Sequence, residues 1–152
     1  KGGATAIIKS FEDTRIAKTA TLASVIRLKD RYASELNTWE NDGVLHIHNA
    51  RTKQDMPLYY QLAEDVINNA DRFDIPELIK QYTKPLLLIH GAKDETVKLE
   101  EFEYAKSLNK DVNTYLIPDT NHTFDGTHPY LEKDLHIYTK EALDMICHFL
   151  LK

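Results

Sequence analysis

The sequence predicts an α/β protein in three layers, with helices on both faces of a mostly parallel sheet. Three observations carry this. Residues 19–26, 86–90 and 112–117 are short apolar runs of strand length, rich in β-branched and aliphatic residues. Helical patterns separate them. Each run leads into a polar or glycine-containing segment instead of a tight hairpin turn. Alternation of this kind implies crossover connections and hence parallel pairing. The 152 residues, 42% hydrophobic and 28% charged, suffice for one domain with its own core.

Taken in order, Gly3 to Ser10 carries small and apolar residues suited to a tightly packed helix, and residues 11–16 form a polar connection. Residues 19–26 read as the first buried strand. From Arg27 to about Thr83 the texture changes, and this stretch is predicted to be an inserted lid-like or cap-like segment. Within it, Asp42-Gly43 signals a turn and residues 44–48 alternate apolar with His, as a half-exposed strand would. Pro57 is placed to open a helix continued by Leu58, Leu62, Val66 and Ile67. Asp74 before Ile75-Pro76 starts a short helix through Tyr82. Residues 86–90 are the second strand, introduced by Pro85. Leu99, Phe102, Ala105 and Leu108 mark an amphipathic helix. Residues 112–117 form the third strand, residues 122–134 are irregular, and residues 135–151 close the chain as a helix.

Composition narrows the classes of function. The net charge of −5 is spread among interspersed acids and bases, which argues against a nucleic-acid partner. No apolar run approaches the roughly 20 residues of a membrane span, so no membrane partner is expected. The single cysteine, Cys147, rules out an internal disulfide and is expected to be a buried small hydrophobe. With no signal-peptide pattern at the start, a reducing, cytoplasmic setting is the expectation.

The chemistry concentrates at the ends of the second and third strands. In parallel sheets, functional groups gather beyond the carboxyl ends of the strands. Asp94 follows the glycine turn at Gly91, and His122 follows the third strand. An acid and a histidine so placed are two parts of a nucleophilic triad, in which the acid orients the imidazole and the imidazole shuttles a proton. Asp119 is a rival acid, closer to His122 in sequence. Ser10, Ser24, Ser34 and Ser107 are the available serines, and none follows a strand within an elbow of small residues. Cys147, in a helix, is equally unsuited. His46 and His48 could share one face of a strand, but no further ligand stands at familiar spacing, so no metal is expected. Asn121-His122-Thr123 matches a glycosylation sequon and is read as chance. Arg51 and Gln54 are candidate substrate-pocket residues, with an ordinary salt bridge or helix-start contact weighed equally.

These residues resemble a known family. His90-Gly91-Ala92-Lys93-Asp94-Glu95-Thr96-Val97 is similar to the His-Gly-x-x-Asp-x-x-Val strand end of α/β-hydrolases of the dienelactone-hydrolase-like esterase and peptidase group. Asn121-His122-Thr123-Phe124 is similar to its histidine loop, and residues 49–58 to a subgroup of bacterial hydrolases. The resemblance covers essentially the whole chain, and it implies a single partial α/β-hydrolase domain over residues 1–152. That domain is the C-terminal half of the fold, with about three core strands and the inserted segment at 27–83.

The family order is Ser, acid, His. Lys1-Gly2-Gly3 resembles the residues that follow the nucleophile, with Gly2 and Gly3 as the elbow glycines. The resemblance therefore implies a Ser immediately before Lys1, with the Lys1 backbone N–H as an oxyanion-hole donor. It implies a serine hydrolase acting on a small-molecule carboxylic ester or related acyl substrate through an acyl-enzyme, without a cofactor. The expected partner is the N-terminal half of the fold, on the same polypeptide or on a separate chain, and the 152 residues alone are expected to be inactive. The alternatives are a non-catalytic binding module on this scaffold and the C-terminal half of a serine peptidase.

Overall fold

The computed structural model describes residues 2–49 and 52–152. The chain divides into two compact units, residues 1–26 with 75–152, and residues 27–74. The first unit holds α1 (Gly2–Glu12), β1 (Thr19–Leu22), α4 (Ile75–Lys80), β4 (Leu86–Gly91), α5 (Leu99–Leu108), β5 (Asn113–Ile117) and α6 (Ile137–Leu151). The second holds α2 (Leu36–Asp42), β2 (Val44–Asn49), β3 (Gln54–Tyr59) and α3 (Gln61–Asn68).

The first unit is built on a parallel sheet of order β1-β4-β5. The central strand, β4, is buried along its whole length, as a continuous apolar run covered on both faces should be. Side chains alternate between faces along a strand. Leu87 and Ile89 join Ala20, Ile117 and Tyr115 against Ala142, Met145, Ile146 and Phe149 of α6. On the opposite face His90 lies against Phe102 of α5, with ring centroids 5.6 Å apart. Thr19 takes a hydrogen bond from the Tyr82 hydroxyl on that face, and Tyr82 in turn meets Ser10 of α1. The layers are thus α6, the sheet, and the group α1, α4 and α5, as the sequence predicts. Among the described residues, β1 and β5 are the edges of this sheet, each paired only with β4.

Several elements differ from the sequence reading. β1 stops at Leu22, because Ala23 turns the backbone at a positive φ of 46°. Residues 23–26 remain buried as a bend, held where Ala23 N–H donates to Ile89 O and Ile26 N–H donates to Glu101 Oε2. α4 belongs to the first unit, although the sequence grouped it with the inserted segment. Cys147 is exposed, not buried. The buried stripe of α6 runs through residues 142, 145, 146 and 149, and position 147 is turned off that stripe by the helical repeat.

In the second unit, Pro57 opens no helix. It sits inside β3 opposite His46, and α3 starts at Gln61. A two-stranded hairpin leaves edges where the missing proline N–H costs nothing. Asp42-Gly43 closes a helix, α2, that the sequence reading did not contain. Gly43 adopts φ 71°, the left-handed cap conformation, and donates to Trp39 O. Trp39 is the anchor of this unit. It is 2% exposed, donates its indole N–H to Leu58 O at 2.7 Å, and meets Tyr32 and Tyr60 edge-on.

Candidate active site

The carboxyl ends of β4 and β5 are joined by backbone contacts. Ala92 N–H donates to Ile117 O and Lys93 N–H donates to Thr120 O, both at 2.9 Å. Gly91 makes this approach feasible. A Cβ there would lie 2.5 Å from Thr120 O and 2.7 Å from Asn121 O, backbone atoms that cannot step aside. Any other residue would push the two loops apart.

Beyond Gly91 the chain makes a tight turn that ends on Asp94. The Asp94 carboxylate is fully buried. One oxygen, Oδ1, accepts the backbone N–H groups of Thr96 and Val97, each at 2.8 Å. The other, Oδ2, lies 2.8 Å from His122 Nδ1. A carboxylate only accepts, so Nδ1 carries the hydrogen. The Nε2 lone pair is then left free to take a proton, and among the described residues no hydrogen bond reaches it. The His122 side chain is 39% exposed.

The His122 loop is fixed by its own side chains. Asn121 Oδ1 accepts from Thr123 N–H and Oγ1–H, both at 2.9 Å, while Asn121 Nδ2 donates to Asp125 Oδ1 at 2.8 Å. Thr120 Oγ1 donates to Asp125 Oδ2. Phe124 and Asp125 both take positive φ, which drives the Phe124 ring into the core beside α6. Thr139 of α6 donates to the Phe124 carbonyl. Strained backbone held by this many partners is characteristic of functional loops.

The other sequence candidates fall as follows. Asp119 pairs with Lys93 at 2.8 Å on the exposed surface, and the acid bonded to His122 is Asp94. Ser10 is buried and bonded to Ile7 O, Ser24 donates to Val25 O, Ser34 to Glu35 and Ser107 to Tyr104 O. Among the described residues none of these hydroxyls bonds His122. Gly2 and Gly3 start α1. A Cβ on Gly3 would sit 2.7 Å from Ser24 Oγ, so glycine there lets the start of α1 meet the bend after β1. Lys1 and Arg51 lie outside the described residues. Gln54 begins β3 with its side chain exposed. His46 and His48 are exposed, and His48 pairs with Asp55 at 2.7 Å. Among the described residues no group of three or more His, Cys, Asp or Glu is placed to hold a metal ion, and no helix is long and apolar enough to cross a membrane.

One residue of the site carried no role in the sequence reading. His90 is 1% exposed, and burial holds its pKa below the ordinary imidazole value. Its Nε2 lies 2.9 Å from Val97 O and 3.7 Å from Asp94 Oδ2. A buried polar residue on an otherwise apolar strand was the available signal.

No sequence family and no curated protein matches this chain. Solved structures do match in shape. Alpha/beta hydrolase domain-containing protein 10 from mouse superposes with a TM-score of 0.64 at 16% identity, covering 96% of this chain and 56% of that one. Est1E from Butyrivibrio proteoclasticus, with ferulic acid bound, gives 0.61 at 16% identity over 99% of this chain and 57% of its own length. An esterase from Pyrococcus furiosus gives 0.53 at 20% identity over 98% of this chain and 48% of its own. The chain therefore has an α/β-hydrolase fold, in partial form, and spans about half the length of these structures.

Proposed function

We propose that these residues form the C-terminal half of a serine hydrolase of the dienelactone-hydrolase-like group, cleaving a carboxylic ester or related acyl bond through an acyl-enzyme. The observation that carries the reading is the 2.8 Å bond from His122 Nδ1 to the buried Asp94 carboxylate, at the carboxyl ends of neighbouring strands. Esterases among the structures of similar shape support the ester class.

In this reading Asp94 fixes the tautomer of His122 and stabilises the imidazolium. His122 Nε2 takes the proton of an attacking hydroxyl and returns it to the leaving alcohol. A water then repeats the cycle and releases the acid. The nucleophile is a Ser joined to Lys1, outside these 152 residues, and the Lys1 N–H is one oxyanion donor. Gly3 supports this placement, because it brings the start of α1 against the bend at the carboxyl end of β1. The N-terminal half of the fold completes the sheet along the free edge of β1. Residues 27–74, the second unit, are the part of this chain proposed to set substrate choice.

The test is hydrolysis of small p-nitrophenyl esters by the full-length protein. Turnover is expected to vanish in His122→Ala. Wild-type turnover in that variant would refute the assignment.

A further inference from the structure

The strand that delivers Asp94 also carries a second histidine beneath it. His90 is the only polar side chain in the apolar run of β4 apart from the terminal glycine's backbone, and it is fully enclosed between the sheet and Phe102. A histidine so buried costs desolvation unless its ring nitrogens are used. The structure shows the use of one. Nε2 faces the Val97 carbonyl at 2.9 Å, and a carbonyl only accepts, so this nitrogen must carry the hydrogen.

Val97 is also the residue whose N–H, with that of Thr96, binds Asp94 Oδ1 at 2.8 Å. The Val97 peptides thus connect in two directions: the amide points at the carboxylate, and the carbonyl is tied back to the strand through His90. Val97 is itself buried at 2% exposure, and the His90 ring fixes the direction of its carbonyl and hence of the peptide that follows. With that tie, two N–H donors are held on Oδ1, and Oδ2 is left to His122 alone. The same Nε2–H sits 3.7 Å from Oδ2, too far for a hydrogen bond. It therefore does not compete with His122 for that oxygen. A neutral ring serves this arrangement better than a cation, which would draw the Asp94 charge away from His122.

We propose that His90 is a positioning residue: through its Nε2–H to the Val97 carbonyl it sets the Asp94 turn, and thereby the aim of Asp94 at His122. This rests on the proposed acid and base roles of Asp94 and His122. The function of His90 is geometric, so a side chain that reproduces one N–H at that place should replace it. The terminal nitrogen of Gln can occupy the place of Nε2, whereas that of Asn is too short to reach.

The experiment compares His90→Leu, His90→Gln and His90→Asn in the full-length protein. It reads ester hydrolysis and, separately, the proton NMR signal of the His122 Nδ1–H. Misplacement of a catalytic group by about 1 Å can cost about 10²-fold, so His90→Leu and His90→Asn are expected to lose on the order of that in kcat with KM unchanged. The downfield Nδ1–H signal is expected to shift or broaden in both. His90→Gln is expected to retain kcat within about threefold and to keep the signal. Equal behaviour of the Gln and Asn variants, or a wild-type signal and kcat in His90→Leu, would overturn the proposal. If His90→Leu does not fold, the Gln and Asn pair decides. His122→Ala in parallel separates the two readings. If it stays active, the proposed hydrolase chemistry fails, while the NMR signal still judges whether His90 sets the Asp94–His122 bond.

Discussion

The two units of this chain solve opposite problems. Around Asp94 and His122, polar groups are buried and tied to named partners, largely backbone to backbone or side chain to backbone. In residues 27–74, Trp39 and Ala63 are the buried hydrophobics among the described residues, while Met56, Tyr59 and Ile67 are 47%, 63% and 53% exposed. The first is a frame that holds two side chains in one geometry. The second is a small unit with one buried aromatic anchor and a few exposed apolar side chains on an otherwise polar surface. Under the proposed function, preorganised geometry belongs with catalysis, and the second unit is assigned to substrate choice. Changes in the first unit should therefore act on kcat, and changes in the second on KM and substrate range.

The sharpest way to break this contrast is at the pair itself. Asp94→Asn is expected to lower kcat on the order of 10⁴-fold, because an amide favours the wrong imidazole tautomer. Steady-state ester hydrolysis by the full-length protein would show it, and folding should be nearly unaffected. Gly91→Ala comes next. Its Cβ would meet the Thr120 and Asn121 carbonyls, so a destabilisation of about 1–3 kcal/mol is expected in denaturant unfolding, together with a loss of turnover on the order of 10²-fold. In the second unit, Trp39→Ala removes the anchor and is expected to cost about 3–5 kcal/mol locally. Limited proteolysis should then cut first within residues 27–74, and KM should rise more than kcat falls.

Burial of His90 lowers its pKa, and its charged neighbourhood is Asp94, Glu101 and His122. The unfolded chain then takes up a proton near the ordinary imidazole value that the folded chain refuses. Stability from this residue is full above that value and is lost as pH falls below it. Denaturant midpoints measured from pH 7 down to pH 5 should decline, and less steeply in His90→Gln. Asp119→Ala removes only an exposed pair with Lys93, so stability should change by at most about 1 kcal/mol with turnover unaltered. A large loss there would reopen the choice of acid.

What could be read from the sequence follows the same division. The end of β4 was legible because a buried parallel strand reads as a continuous apolar run, and the end of the half-buried edge strand β5 because its apolar close at Leu116-Ile117 gives way to a polar turn. The partner of His90 was not, because it is a backbone carbonyl, and backbone partners leave no residue-type signature. The end of β1 was hidden by the apolar bend at residues 23–26, which is as buried as the strand before it. Pro57 misled because proline favours both a first helical turn and a free strand edge, and only the pairing with His46 separates the two. Cys147 misled because α6 carries apolar residues outside its buried stripe, among them Leu143 and Leu150 at 39% and 45% exposure. The role of Gly3 was legible only as part of a glycine pair. Its physical reason, the close approach of Ser24, depends on a residue twenty-one positions away.

In the proposed function, Asp94 and His122 activate a serine outside these 152 residues. Labelling the full-length protein with a fluorophosphonate, which the activated hydroxyl attacks with loss of fluoride, and mapping the modified peptide tests it most directly. A single labelled Ser joined to Lys1 is expected, with labelling abolished in His122→Ala. Label on Ser10, Ser24, Ser34 or Ser107, or undiminished labelling in His122→Ala, would contradict it.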